Sequence, residues 1–137
     1  MALAPRVLLI MPNQWRRALL RGALREVGYD AIGSIDVATA RRHHRPEPGR
    51  GTMALMVVDQ DAVAGHQKDL RHLLNSLDAP PVLLLAHATR TPPPGAWTRV
   101  MQRPMSIGDV VAAVQSLVPL PENARRPLDS PGRDATP

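Results

Sequence analysis

The sequence predicts a doubly wound α/β domain, with helices on both faces of a five-stranded parallel sheet. Three observations carry that reading. Continuous apolar runs at 6–11, 53–58 and 82–86 lack the polar alternation of a half-exposed strand, so each reads as a strand buried on both faces. Amphipathic stretches at helical spacing separate these runs. The resulting order, β-α-β-α-β-α-β-loop-β-α, requires crossovers that place helices on both sides of the sheet.

The first run, RVLLIM at 6–11, is stopped by Pro12 and Asn13. QWRRALLRGALREV at 14–27 follows as a helix whose apolar face is expected to carry Trp15, Leu19, Leu20, Ala23, Leu24 and Val27, with arginines opposite. Gly28 supplies a helix terminator. YDAIG at 29–33 reads as a short second strand. IDVATARRHH at 35–44 reads as a second helix, with Asp36 at its positive end and basic residues at its negative end. Residues 45–52 form a loop. MALMVV at 53–58 is the third strand and runs into Asp59-Gln60-Asp61. The stretch 66–77 sets Leu70, Leu73, Leu74 and Leu77 at helical spacing, and Pro80–Pro81 ends it. VLLLA at 82–86 is the fourth strand. HATRTPPPG at 87–95 is too short and too rich in proline for a helix. WTRVMQ at 97–102 is the fifth strand, followed by an Arg103–Pro104 loop. Ser106 is the expected N-cap of a closing helix at 107–118, with Val110, Val111, Val114, Leu117 and Val118 available to the core.

Composition sets the outer limits. The chain of 137 residues fits one folded domain, placed at 1–118. Residues 119–137 are Pro-rich and polar, too poor in apolar side chains to offset the entropy of ordering, and are expected to form a disordered tail. The chain has no cysteine, which excludes disulfides, thiolate chemistry and cysteine-ligated zinc, and which suits a cytoplasmic protein. The apolar run near the N-terminus is too short to span a membrane. The net charge of +5 comes almost wholly from arginine, with Lys68 the sole lysine. Such an excess can serve a nucleic-acid partner. The arginines are scattered, however, and two tryptophans and one tyrosine offer little base stacking, so a solvated surface is the better reading.

Ligand sites in parallel α/β sheets lie beyond the carboxyl ends of the strands. Those ends are here 11–13, 59–61, 86–87 and 103–104. With RVLLIMPNQWRRALLRGALREVGYDAIG at its start, VLLLA after Pro81, and Gly95–Ala96 ahead of Arg103–Pro104, the chain resembles the receiver domains of two-component response regulators over residues 5–118. The resemblance implies a flavodoxin-like sheet of strand order 2-1-3-4-5, with the family's fourth helix replaced by the Pro-rich loop. It also implies a protein that is no enzyme and carries no catalytic residue. In that family a histidine kinase transfers a phosphoryl group to an aspartate after the third strand, and Asp59 matches that position. The reaction uses Mg²⁺, which demands oxygen ligands in near-octahedral array, and cationic groups that neutralise developing charge.

This sequence departs from the pattern at each of those parts. The acidic pair that helps hold Mg²⁺ falls on Met11 and Pro12, followed by the neutral Asn13. The hydroxyl residue after the fourth strand is Ala86. The lysine after the fifth strand is Arg103, which keeps the charge in a different shape. The aromatic on the fifth strand is Val100. The expected reading is therefore a pseudo-receiver, a signalling and protein-interaction module outside Mg²⁺-dependent phosphorylation and without a metal site or cofactor. Asp59 is then a strand-end carboxylate paired with Arg103. The alternative is an atypical receiver phosphorylated at Asp59, with Asp61 replacing a lost Mg²⁺ ligand. A basic nucleic-acid-binding protein is a further alternative. The expected partner is a protein of the histidine kinase or response regulator kind, with homodimerisation also open.

The remaining features have plain readings. His43, His44, His66, His72 and His87 show no HExxH spacing and read as surface or helix-end residues rather than metal ligands. The segment 89–94 (TRTPPP) could be a polyproline recognition element or only a stiff loop. Trp15 reads as a partly buried anchor near the strand ends, and otherwise as an interface residue.

Overall fold

The computed structural model describes residues 4–43 and 52–120. Five strands, β1 (Arg6–Ile10), β2 (Asp30–Ser34), β3 (Met53–Asp59), β4 (Val82–Ala86) and β5 (Arg99–Gln102), form one sheet of order β2-β1-β3-β4-β5. All four neighbouring pairs are parallel. The flavodoxin-like arrangement expected from the sequence is thus the one observed. Helices α1 (Gln14–Val27), α2 (Val37–His43), α3 (Gln60–Val63), α4 (Gln67–Ser76) and α5 (Ile107–Leu117) complete the fold. α3 is a single turn that the sequence does not announce. Of the expected loop at 45–52 and tail at 119–137, residues 45–51 and 121–137 lie outside the described residues, as does His44.

Because side chains alternate across a strand, the central strands feed two separate cores. Val7, Leu9, Leu55, Val57, Leu83 and Leu85 meet α1 and α5 on one face. Leu8, Ile10, Met56, Val58 and Leu84 meet α2 and α4 on the other. Full burial of one such leucine contributes about 1.5–3 kcal/mol, so these runs dominate the stability of the sheet.

α1 and α5 end as their sequences dictate. α1 starts at Asn13, whose side chain accepts the Arg16 N–H, and stops at Gly28, where φ of 117° is open to glycine. Ser106 caps α5 in a reciprocal box with Asp109, as its position predicts. One expectation for α1 fails. Trp15 is 74% exposed and Leu19 is 48% exposed, so the buried stripe is Leu20 and Leu24. Arg17 lies on that inward side instead of among the solvated arginines, its stem packed against Gly33 of β2.

No helix lies between β4 and β5 among the described residues. The Pro-rich segment crosses there and lowers Trp97 onto the core that α4 covers. The Trp97 indole N–H donates to the Pro93 carbonyl at 2.8 Å. A Cβ on Gly95 would meet that indole at 2.5 Å, so only glycine fits beside it.

Candidate functional site

β3 delivers Asp59 to the carboxyl pole of the sheet, where its side chain is only 4% exposed. Oδ1 accepts the Asp61 N–H at 3.0 Å, which makes Asp59 the N-cap of α3. Oδ2 accepts from Arg103 Nη2 at 2.5 Å. Arg103 enters from the turn after β5, joined to Pro104 by a cis peptide, with its backbone N–H on the Ala86 carbonyl. Both oxygens of the buried carboxylate are therefore engaged, one of them by a charge-assisted bond that offsets desolvation.

The next two residues tie β3 to the Pro-rich segment that follows β4. Gln60 is buried, donates to the Thr91 carbonyl at 3.0 Å and accepts the His87 N–H at 2.7 Å. Asp61 Oδ1 lies 2.6 Å from His87 Nε2. Two side-chain pairs, Asp59–Arg103 and Asp61–His87, thus lie side by side over β3, β4 and β5, joined by the Asp61 N–H on Asp59. Sequence reasoning placed His87 on the surface and gave Gln60 no role. The only hint was the position of both residues at the ends of adjacent strands.

The end of β1 is a different environment. Met11 is buried in the α1–α5 core. Pro12 is exposed and Asn13 spends its side-chain oxygen on the helix cap. Arg17 Nη1 donates to the Met11 carbonyl at 2.6 Å, so a cation already sits there. Ala86, fully buried, presents no polar side-chain atom at the end of β4. Of the sequence candidates, Asp59, Asp61 and Arg103 come together, Ala86 accepts the Arg103 N–H through its carbonyl, and Asn13 belongs to the helix cap.

This donor set does not fit Mg²⁺. The carboxylates present, Asp59 and Asp61, are already held by Arg103 and His87, and β1 contributes none. Among the described residues no group of three or more His, Cys, Asp or Glu side chains could hold a metal. Asp36 lines a pocket of about 200 Å³ together with Asp61 and His66. Hydrogen bonds from the Thr39 backbone and side chain hold its carboxyl below the usual carboxylate range, and Arg42 and His66 add to the effect.

No protein-family model and no curated protein sequence matches the chain. Solved structures do. A response regulator from Thermotoga maritima superposes with a TM-score of 0.65 at 15% identity, over 85% of this chain and 98% of that one. The chain has the receiver fold. The non-phosphorylated HemR receiver domain from Leptospira biflexa gives a TM-score of 0.65 at 19% identity, over 85% and 96% of the two chains. An adenylate cyclase from Rhodopirellula baltica gives 0.67 at 15% identity, over 85% and 88%. The strand order is that of the receiver fold, and at its carboxyl pole Asp59 is paired with Arg103 and Asp61 with His87.

Proposed function

We propose that this chain is a receiver-fold signalling module of the two-component type that engages a protein partner while Asp59 stays unphosphorylated. One observation carries the reading: both oxygens of Asp59 are held internally, by the Asp61 N–H and by Arg103. A phosphoryl donor would have to displace Arg103 and would find no carboxylate at the end of β1 to share a metal. In this reading Arg103 is a structural counter-ion, the domain of 1–118 is not an enzyme, and its partner is a histidine kinase or response regulator in the cytoplasm. Residues 119–137 then act as a linker or docking segment. Trp15 and Leu19, exposed one helical turn apart on α1, suit a contact with such a partner.

The test is incubation with acetyl phosphate and Mg²⁺ followed by intact-mass measurement. The expected spectrum shows no gain of a phosphoryl group. A gain that disappears in Asp59→Ala would replace this reading with that of a working receiver.

A further inference from the structure

The sequence scatters its arginines and gives Trp15 a place on the apolar face of α1. In the fold, α1 gathers three of those arginines and turns Trp15 outward. Arg17, Arg21 and Arg25 recur about once per turn on the side of the helix that faces β2. Arg17 Nη1 donates to the Met11 carbonyl at 2.6 Å, and Arg21 Nε and Arg25 Nε share the Ala31 carbonyl at 3.3 and 3.0 Å. Two donors on one oxygen hold the Arg21 and Arg25 Nε atoms within about 6 Å of each other.

These charges have no carboxylate. Arg6, Arg41 and Arg103 each pair with an aspartate. Arg16, Arg17, Arg21 and Arg25 have no such partner among the described residues. Glu26, the one acid of α1, points about 100° round the helix from Arg25, on the side away from Arg21. Asp30, next to Ala31 in β2, faces Arg6. Two guanidinium groups fixed this close repel each other, and an anion between them relieves the repulsion. Their Nη groups make no hydrogen bond among the described residues and can fork onto phosphate oxygens.

Trp15, Ala18, Arg21, Gly22 and Arg25 form one exposed strip at spacings of three and four. Trp15 is 74% exposed, and the small Ala18 and Gly22 leave open surface between its indole and the two arginines. We infer that this strip binds single-stranded nucleic acid without regard to sequence, Arg21 and Arg25 holding adjacent phosphates and Trp15 stacking on a base. A phosphodiester chain offers both repeated charge and planar faces, which an acidic peptide of aspartate and glutamate does not. A bilayer fits less well, because Trp15 and Leu19 are the only large exposed apolar side chains of α1. The inference is independent of whether Asp59 accepts phosphate, and a protein partner seated on Trp15 would compete with it.

The probe is a fluorescein-labelled oligodeoxythymidylate of about twelve residues, titrated with the full chain at low salt and followed by anisotropy. Saturable binding that weakens with salt is expected. Arg21→Gln and Arg25→Gln should each make the slope of log K against log salt shallower by about 0.7, whereas Arg25→Lys should leave it unchanged. Trp15→Ala should weaken binding about tenfold at an unchanged slope. On a duplex of the same length Trp15→Ala should change nothing, since paired bases hide their faces. Absence of saturable binding, a slope untouched by either glutamine variant, or full affinity in Trp15→Ala would overturn the inference. So would equal affinity for inorganic polyphosphate of the same length, which would leave charge alone. Tighter binding to phosphatidylglycerol vesicles or to polyglutamate would overturn it in favour of a lipid surface or an acidic protein.

Discussion

Each pole of the sheet holds an arginine–aspartate pair, and the two are built in opposite senses. At the carboxyl pole the anion is the buried partner, with Asp59 4% and Arg103 19% exposed at 2.5 Å. At the amino pole the cation is buried, with Arg6 7% and Asp30 33% exposed at 3.7 Å. Each guanidinium leaves a buried Nε without a hydrogen bond. The difference separates a closed contact from a loose one. A carboxylate with both oxygens engaged depends on its counter-ion, whereas Asp30 can draw on solvent.

Breaking the tight pair should therefore cost most. Arg103→Met is expected to lose about 3 kcal/mol in urea unfolding, because it strands a buried carboxylate. The double variant Asp59→Leu with Arg103→Met should regain most of that, since an apolar pair of similar volume leaves no charge to solvate. A loss no larger than that of an exposed ion pair would remove the contrast between the poles.

The amino pole supplies the next test through Tyr29. Burial pushes its phenol from 10.0 up to about 12, while its hydroxyl donates to the Val118 carbonyl. The folded state therefore holds the proton longer than the unfolded one. The associated stability is fully present below pH 10 and is lost as pH rises toward 12, by about 2 kcal/mol. Tyr29 is the only tyrosine, so absorbance at the phenolate band reports it alone, with an expected midpoint near 12. Tyr29→Phe should flatten the alkaline dependence of stability.

Arg6→Met should cost about 1 kcal/mol, well below Arg103→Met, because the Asp30 carboxylate it leaves behind is one-third exposed. The smallest effect belongs to Asp36 at the carboxyl pole, exposed and held low by Thr39. Its contribution is present above the ordinary carboxylate value of 3.8 and fades as pH falls through the lowered one. Asp36→Ala should cost about 0.5 kcal/mol at neutral pH and nothing more in acid.

The strands were legible because a parallel sheet covered on both faces needs unbroken apolar runs, and RVLLI, MALMVV and VLLLA are such runs. Asp59 and Arg103 were legible as a pair because each ends its element at the same pole. The rotation of α1 was not. Trp15 and Leu19 continue an apolar stripe that Leu20 and Leu24 could extend either way, and only the sheet decides that Arg17 turns inward. Nor could spacing along the chain reveal Gln60 and Asp61 reaching His87, since those contacts cross from β3 to β4. α3 escaped notice because one turn capped by Asp59 has no period to read.

The crossing segment between β4 and β5 has a consequence for spectroscopy. It carries Trp97, partly buried and hydrogen-bonded, while the chain's other tryptophan, Trp15, stands in solvent. The two indoles should emit apart, Trp97 toward the blue and Trp15 toward the red, with only Trp15 quenched readily by acrylamide. Undocking of the Pro-rich crossing would merge the two populations, so its motion can be followed by intrinsic fluorescence with no label added.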